Sequence, residues 1–98
     1  MSRVELASEL VDDFDRTFAP LEAHDVQAIP ARIQEIAQAL DVLETNPLIG
    51  RPATRGMCEL VIGRRSRGYA ALYRYVPEID MVFVLALRSR SEAGYKHD

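Results

Sequence analysis

Apolar and polar positions change rhythm along this chain, from a spacing of three and four to a spacing near two, and that change separates helices from strands. Arg3 to Ala7, RVELA, alternates and predicts a short edge strand. From Ser8 onward Leu10, Val11, Phe14, Phe18 and Leu21 recur at helical spacing. Ser8 is placed as N-cap, and Glu9, Asp12 and Asp13 fall in the early turns, where acids oppose the positive end of the helix dipole. Pro20 is expected to end or kink this helix. Phe14 and Phe18, four apart, share one face and read as core. Ala23 to Val26 is a polar link. Pro30 suits the first turn of a second helix, whose stripe of Ile29, Ile33, Ile36, Ala37, Leu40 and Leu43 runs on to about Thr45, where Asn46-Pro47 stops it.

Asn46 to Gly56, NPLIGRPATRG, is rich in proline and glycine and reads as a loop. Cys58 to Gly63, CELVIG, is a short apolar strand with one charge, Glu59. Tyr69 to Val76 and Met81 to Arg88 are two further strands, joined by Pro77 to Asp80 as a hairpin. The expected order is β-α-α-β-β-β. That is a small α+β fold, a single domain over residues 1–98, with an antiparallel sheet and a helical hairpin on one of its faces.

If Val76 faces Met81 across the turn, every side chain of the hairpin is assigned to a face. One face carries Ala70, Leu72, Arg74, Val76, Met81, Phe83, Leu85 and Leu87, which is the pattern of a surface covered by helices. The other carries Tyr69, Ala71, Tyr73, Tyr75, Val82, Val84, Ala86 and Arg88. Tyrosine and arginine combine apolar area with hydrogen bonding, so this second face is expected to stay open for a partner. A bulge would exchange the faces.

Composition sharpens this picture. The 98 residues are 48% hydrophobic, enough for one modest core. Net charge is −3, but residues 1–50 hold ten acids against three arginines, and residues 51–98 hold nine Lys or Arg against five acids. The split of −7 and +4 predicts an acidic helical side and a basic sheet side suited to nucleic acid or an acidic protein segment. The longest apolar run, Met81 to Leu87, is too short to span a bilayer, and the N-terminus lacks the pattern of a signal peptide, so no membrane partner and a cytoplasmic location are expected. The single cysteine, Cys58, agrees with a reducing compartment and reads as a small hydrophobe. No grouping of His, Cys and acids has metal-ligand spacing, and no glycine loop suits a phosphate-bearing cofactor, so neither metal nor cofactor is expected. His24 and His97 are read as helix-link and terminal residues.

The leucine-rich helix end before NPLIGRP, the strand CELVIG, the stretch GRRSRGYAALYRYV and the closing VFVLALRSRSEAGY together resemble the RelE/ParE superfamily of toxins, the toxic halves of type II toxin–antitoxin modules often labelled plasmid stabilisation proteins. The resemblance covers nearly the whole chain. It implies a growth-inhibiting protein held inactive by a cognate antitoxin in a hetero-oligomer. RelE-like members are metal-independent endoribonucleases that cut mRNA on the ribosome, and ParE-like members inhibit DNA gyrase. A third outcome is an inactive relative that only binds.

Cleavage beside a 2′-hydroxyl needs groups that remove a proton, deliver one, and counter phosphate charge. Carried over by position, the resemblance matches the closing basic residue to Arg90, or to Arg88 with a shifted gap, and the near-terminal tyrosine to Tyr95. The expected lysine pair is absent, with Val61 and Gly63 in its region, and Ala70 stands where an arginine follows the glycine-tyrosine pair. Arginine is a poor general base at neutral pH. These departures favour the ParE-like reading, with Arg64, Arg65, Arg67, Tyr69, Tyr73, Tyr75 and Arg88 expected to meet the target or the antitoxin.

Overall fold

The expected hairpin forms, but in two registers rather than one. In a computed structural model, which describes residues 1–63, 68–91, 94 and 95, strand β4 (Tyr69–Val76) pairs antiparallel with β5 (Met81–Ser89). Near the turn Val76 faces Met81 and Tyr73 faces Val84. Beyond that point Leu72 faces Ala86 and Tyr69 faces Ser89, so Leu85 is an extra residue on β5, a β-bulge. Pro77–Ile79 form a 3-10 turn, and Asp80 leaves it at φ 50°, a left-handed conformation that aspartate tolerates better than most residues.

Five strands make one sheet in the order β1-β5-β4-β3-β2. Strand β1 (Arg3–Leu6) lies at the edge as expected, but runs parallel to β5, with Arg3 opposite Met81 and Leu6 opposite Val84. The sheet is thus mostly, not wholly, antiparallel. Strand β3 (Cys58–Ile62) pairs antiparallel with β4. Strand β2 (Arg51–Pro52) is a two-residue addition to β3 inside the expected loop. Its proline lacks an N–H to offer a further strand, which suits a sheet edge.

Helix α1 (Leu10–His24) does not end at Pro20. The proline is exposed, on the solvent side, and the helix continues until the Asp25 N–H reaches the Leu21 carbonyl at 2.7 Å. Ser8 does not cap it; the N-cap position falls to Glu9, which makes no side-chain capping bond. Helix α2 (Ile29–Asp41) has Pro30 in its first turn and ends in a 3-10 turn over Val42–Glu44. Leu10 and Phe18 of α1, with Ile36 and Leu40 of α2 and Leu43 just after it, pack on Ile62, Tyr69, Ala71, Tyr73, Val82, Val84 and Leu87. The Phe18 ring meets Tyr69 at 5.9 Å between centroids and 58° between planes, a tilted arrangement favoured by ring quadrupoles.

The helices therefore cover the tyrosine-bearing face, the reverse of the expected assignment. Tyr69 and Tyr73 are buried in the core, and Leu72 and Ala86 lie on the far side against Met57. Sequence alternation alone left the choice open, because the loop-proximal strands carry comparable apolar residues on both faces. Size resolves it: Tyr73 with the small residue Ala71 and the β-branched Val82 and Val84 gives a surface into which Phe18, Ile36 and Leu43 interlock.

Candidate functional site

The bulge at Leu85 decides which side chains reach the uncovered face. It turns Leu87 inward to the helices and carries Ala86 and Arg88 to the open side, level with Leu72 and Ala70 of β4. On the next strand Glu59 faces Leu72, which sets it on the same open face. Glu59 is the one charge of its strand, and three other segments converge on it.

The Glu59 side chain is only 11% exposed. Arg51 of β2, its cross-strand partner, donates from Nε to Oε1 at 2.9 Å and from Nη2 to the same oxygen. Tyr95, from the segment after β5, donates its hydroxyl to Oε2 at 2.6 Å. Arg88 donates from Nη2 to Oε2 at 3.4 Å, and its guanidinium lies over the Tyr95 ring at 5.2 Å, within cation–π range. Met57, Leu72 and Ala86 form a small buried floor beside the cluster, with Ala53, Leu85 and Tyr95 packed against it.

These contacts fix the charge states. Burial pushes the Glu59 carboxyl up, but the hydrogen bonds from Tyr95 and Arg51 and the charges of Arg51 and Arg88 outweigh it and hold the group below its ordinary value. Burial, and then the adjoining Glu59 carboxylate, drive the Tyr95 phenol well above its ordinary value. At neutral pH the cluster is a carboxylate, a protonated phenol and two guanidinium groups. Opposed charges are thus locked to one another through charge-assisted hydrogen bonds.

The other expected site residues are scattered. Tyr69 lies under α1. Tyr73 is fully buried, and its hydroxyl accepts the Gly50 N–H at 2.9 Å. Burial raises this phenol too. The expectation that Tyr69 and Tyr73 present an open surface is thereby corrected. Tyr75 sits at the hairpin tip and donates to Asp80 Oδ1 at 2.9 Å. That bond, with lesser burial and charge effects, raises the phenol, and bonds from Ser2 and Tyr75 lower the Asp80 carboxyl. Arg90 is exposed, and its backbone N–H meets the Gly68 carbonyl at 3.0 Å. Arg74 is exposed on the open face and donates to the Arg55 carbonyl at 3.0 Å. Arg64, Arg65, Arg67 and His97 lie outside the described residues. The structure thus unites Arg88 and Tyr95, as the sequence suggested, and adds Glu59 and Arg51, which it did not. The signal was available: a lone acid in CELVIG must point to one face, and arginine is its natural cross-strand partner.

The helix layer carries a second feature. An apolar groove of about 340 Å³ runs between β1, α1 and α2, lined by Val4, Leu6, Phe14, Ile33, Ile36 and Leu40, with Asp41 and Glu44 at its margin. Among the described residues no helix is long and apolar enough to cross a membrane.

A family model described as the ParE toxin of the type II toxin–antitoxin system, parDE, matches residues 4–94. Among solved structures, the RelBE2 toxin–antitoxin complex from Mycobacterium tuberculosis contains a chain that is similar in fold, with a TM-score of 0.57 and 22% identity, over 90% of this chain and 96% of that one. A search of the curated proteins gives no match.

Proposed function

This chain belongs to the family of ParE toxins of type II toxin–antitoxin systems, and from that premise we propose that it arrests growth by binding a protein target, DNA gyrase, rather than by cutting RNA. The observation that carries the reading is the bond between Tyr95 and Glu59. A nuclease of this size needs a group that gives up a proton near neutral pH. On the described part of the open face the phenol is held protonated and the carboxylate is already engaged by three neighbours. The exposed arginines Arg51, Arg55, Arg74 and Arg90 offer guanidinium groups to an acidic or aromatic protein surface.

A cognate antitoxin is the expected partner in a hetero-oligomer in the cytoplasm. The apolar groove of the helix layer is better suited to it than the tyrosine face first expected, because that face is already covered by α1 and α2. The test is direct. The expected result is that purified protein inhibits gyrase-dependent DNA supercoiling, that messages in expressing cells stay intact, and that the antitoxin relieves both growth arrest and inhibition. Cleaved messages with unaffected gyrase would reverse the assignment.

One observation favours the RelE-like alternative of an mRNA endoribonuclease: Arg88 and Tyr95, both matched by position to that pattern, are in contact. That reading requires loss of message cleavage on Arg88→Ala or Tyr95→Phe. An inactive relative that acts only as a binding module would cause no growth arrest when expressed alone.

A further inference from the structure

We propose that a second copy of this chain docks head-to-tail on the first, its exposed ridge of Leu48, Ile49 and Val61 entering the acid-rimmed apolar cleft between α1 and α2. The inference goes beyond the choice of target, because it concerns what fills the cleft when the antitoxin is absent.

The acceptor is the apolar groove of the helix layer, which is longer than its first part. Past Phe14 and Ile33 it continues into a second hollow of about 300 Å³ that reaches Phe18 and Ile29. Leu6 and Ile33 stay 56% and 44% exposed, so apolar area is left in water that association can cover. Asp41 and Glu44 border the first part, and Asp15 and Glu22 the second. Among the described residues no Lys or Arg borders either part, and the cleft therefore favours an apolar occupant flanked by cations.

The same molecule presents that combination at its other edge. Leu48 and Ile49, 69% and 56% exposed, stand just before Arg51, and Ile49 borders a groove with Leu60 and the exposed Val61. Arg51 pairs with Glu59 yet keeps 62% of its side chain in water, and Arg55 is exposed four residues on. The cleft is bordered by β1 and the ridge by β2, the two ends of the sheet order, four strand spacings or about 19 Å apart. A molecule therefore cannot fill its own cleft. Cleft and ridge are different surfaces, so the contact between copies is heterologous, and each added copy still offers one open cleft and one open ridge. The acids of the rim, set against Arg51 and Arg55, steer the ridge inward. An antitoxin and a second copy exclude each other from this cleft.

The experiment is sedimentation of the purified full-length protein between about 10 μM and 1 mM, at about 0.05 and 0.5 M salt. At low salt the mean mass should climb with concentration past that of a dimer, and high salt should weaken association at least about fivefold. Ile49→Glu spoils the ridge and Leu6→Glu the cleft, both at exposed positions, with circular dichroism as the check on folding. Each variant alone should stay monomeric. Mixed, the two should form a one-to-one pair and stop there, because Ile49→Glu keeps a sound cleft and Leu6→Glu a sound ridge. Ile33→Glu replaces Leu6→Glu should the latter unfold. Asp15→Asn combined with Glu22→Gln leaves the apolar lining in place, and should weaken association about three- to tenfold and flatten its salt dependence. Protein that stays monomeric at about 1 mM in low salt, a dimer that grows no further, or mixed variants that fail to pair would each overturn the proposal. Mass is read without gyrase, so failure here leaves the target assignment standing, and an absence of gyrase inhibition leaves the docking standing.

Discussion

Asp13 and Leu87 meet across most of the chain, the buried carboxyl of α1 accepting the backbone N–H of β5 at 2.9 Å. Arg16, one helical turn on, donates to the Leu87 carbonyl at 3.0 Å and to Asp13 at 2.8 Å. Strand β1 pairs with β5 only as far as Val84. Beyond it, two side chains of a helix satisfy the strand edge in place of a neighbouring strand.

Removing one member of this set leaves buried polar groups without partners. Asp13→Ala is therefore expected to cost about 3 kcal/mol or more. Asp13→Asn, which can accept one bond, should cost less. Urea unfolding followed by circular dichroism measures both, and equal midpoints for Asp13→Ala and the unmodified protein would show that the pair contributes nothing.

Gly50 is required by its neighbour, not by its own backbone angles. A Cβ there would lie 2.7 Å from the Tyr73 hydroxyl and 2.8 Å from the Glu59 carbonyl, closer than real contacts allow. Gly50→Ala is expected to destabilise by about 1–3 kcal/mol through this crowding. Tyr73→Phe should cost about 1–2 kcal/mol, since the Gly50 N–H loses its acceptor. In Gly50→Ala combined with Tyr73→Phe the two losses should add to less than their sum, because they share one contact.

The acid limb of stability follows from Glu59. Its carboxyl is held below the ordinary value of 4.5 in the folded protein, so the unfolded chain takes up a proton first as pH falls. The contribution is thus fully present above about pH 4.5 and is lost as pH drops through the lower folded value. Glu59→Gln should flatten this part of the Tm-against-pH curve between about pH 5 and 3. Tyr95→Phe removes one hydrogen bond that lowers the carboxyl, and should shift the same limb to higher pH. A curve unchanged by either substitution would contradict the assignment.

Deleting Leu85 should be tolerated far better than adding a residue after it. Leu85 is the unpaired residue of the bulge, so its deletion leaves Val84 and Leu87 facing the helices and Ala86 and Arg88 facing away, in an unbroken ladder, whereas one alanine inserted between Ala86 and Leu87 turns Leu87 outward and Arg88 toward the helices, a one-residue slip that reverses every later side chain. The expected outcome is loss of soluble, cooperatively folding protein for the insertion and its retention for the deletion. Solubility and thermal melts of the two variants decide the matter.

Local chemistry made most elements legible. Pro30 and Asn46-Pro47 framed α2, and Pro77 to Asp80 framed the hairpin, because proline acts on its immediate neighbours. Three features were hidden, each for a physical reason. Pro20 was overruled by the tertiary packing of α1, whose buried residues Leu10, Asp13, Thr17 and Phe18 outweigh one missing bond. Strand β2 is two residues long and has no periodicity to read. The bulge at Leu85 leaves no mark in a run of apolar residues, yet it alone sends Arg88 to the side of Tyr95. An unbroken register therefore grouped Arg88 with Tyr69, Tyr73 and Tyr75, and hid the acid that actually holds it.

The parallel pairing of Arg3–Leu6 with Met81–Val84 has a consequence for how this protein comes into being. During translation the first strand must wait, unpaired, while some eighty later residues are synthesised and threaded out of the ribosome. The sheet cannot close, and the cluster around Glu59 cannot assemble, until the last strand emerges. The surface around Glu59 is accordingly absent from any nascent chain that stops short of β5, and forms only once segments far apart in sequence have met.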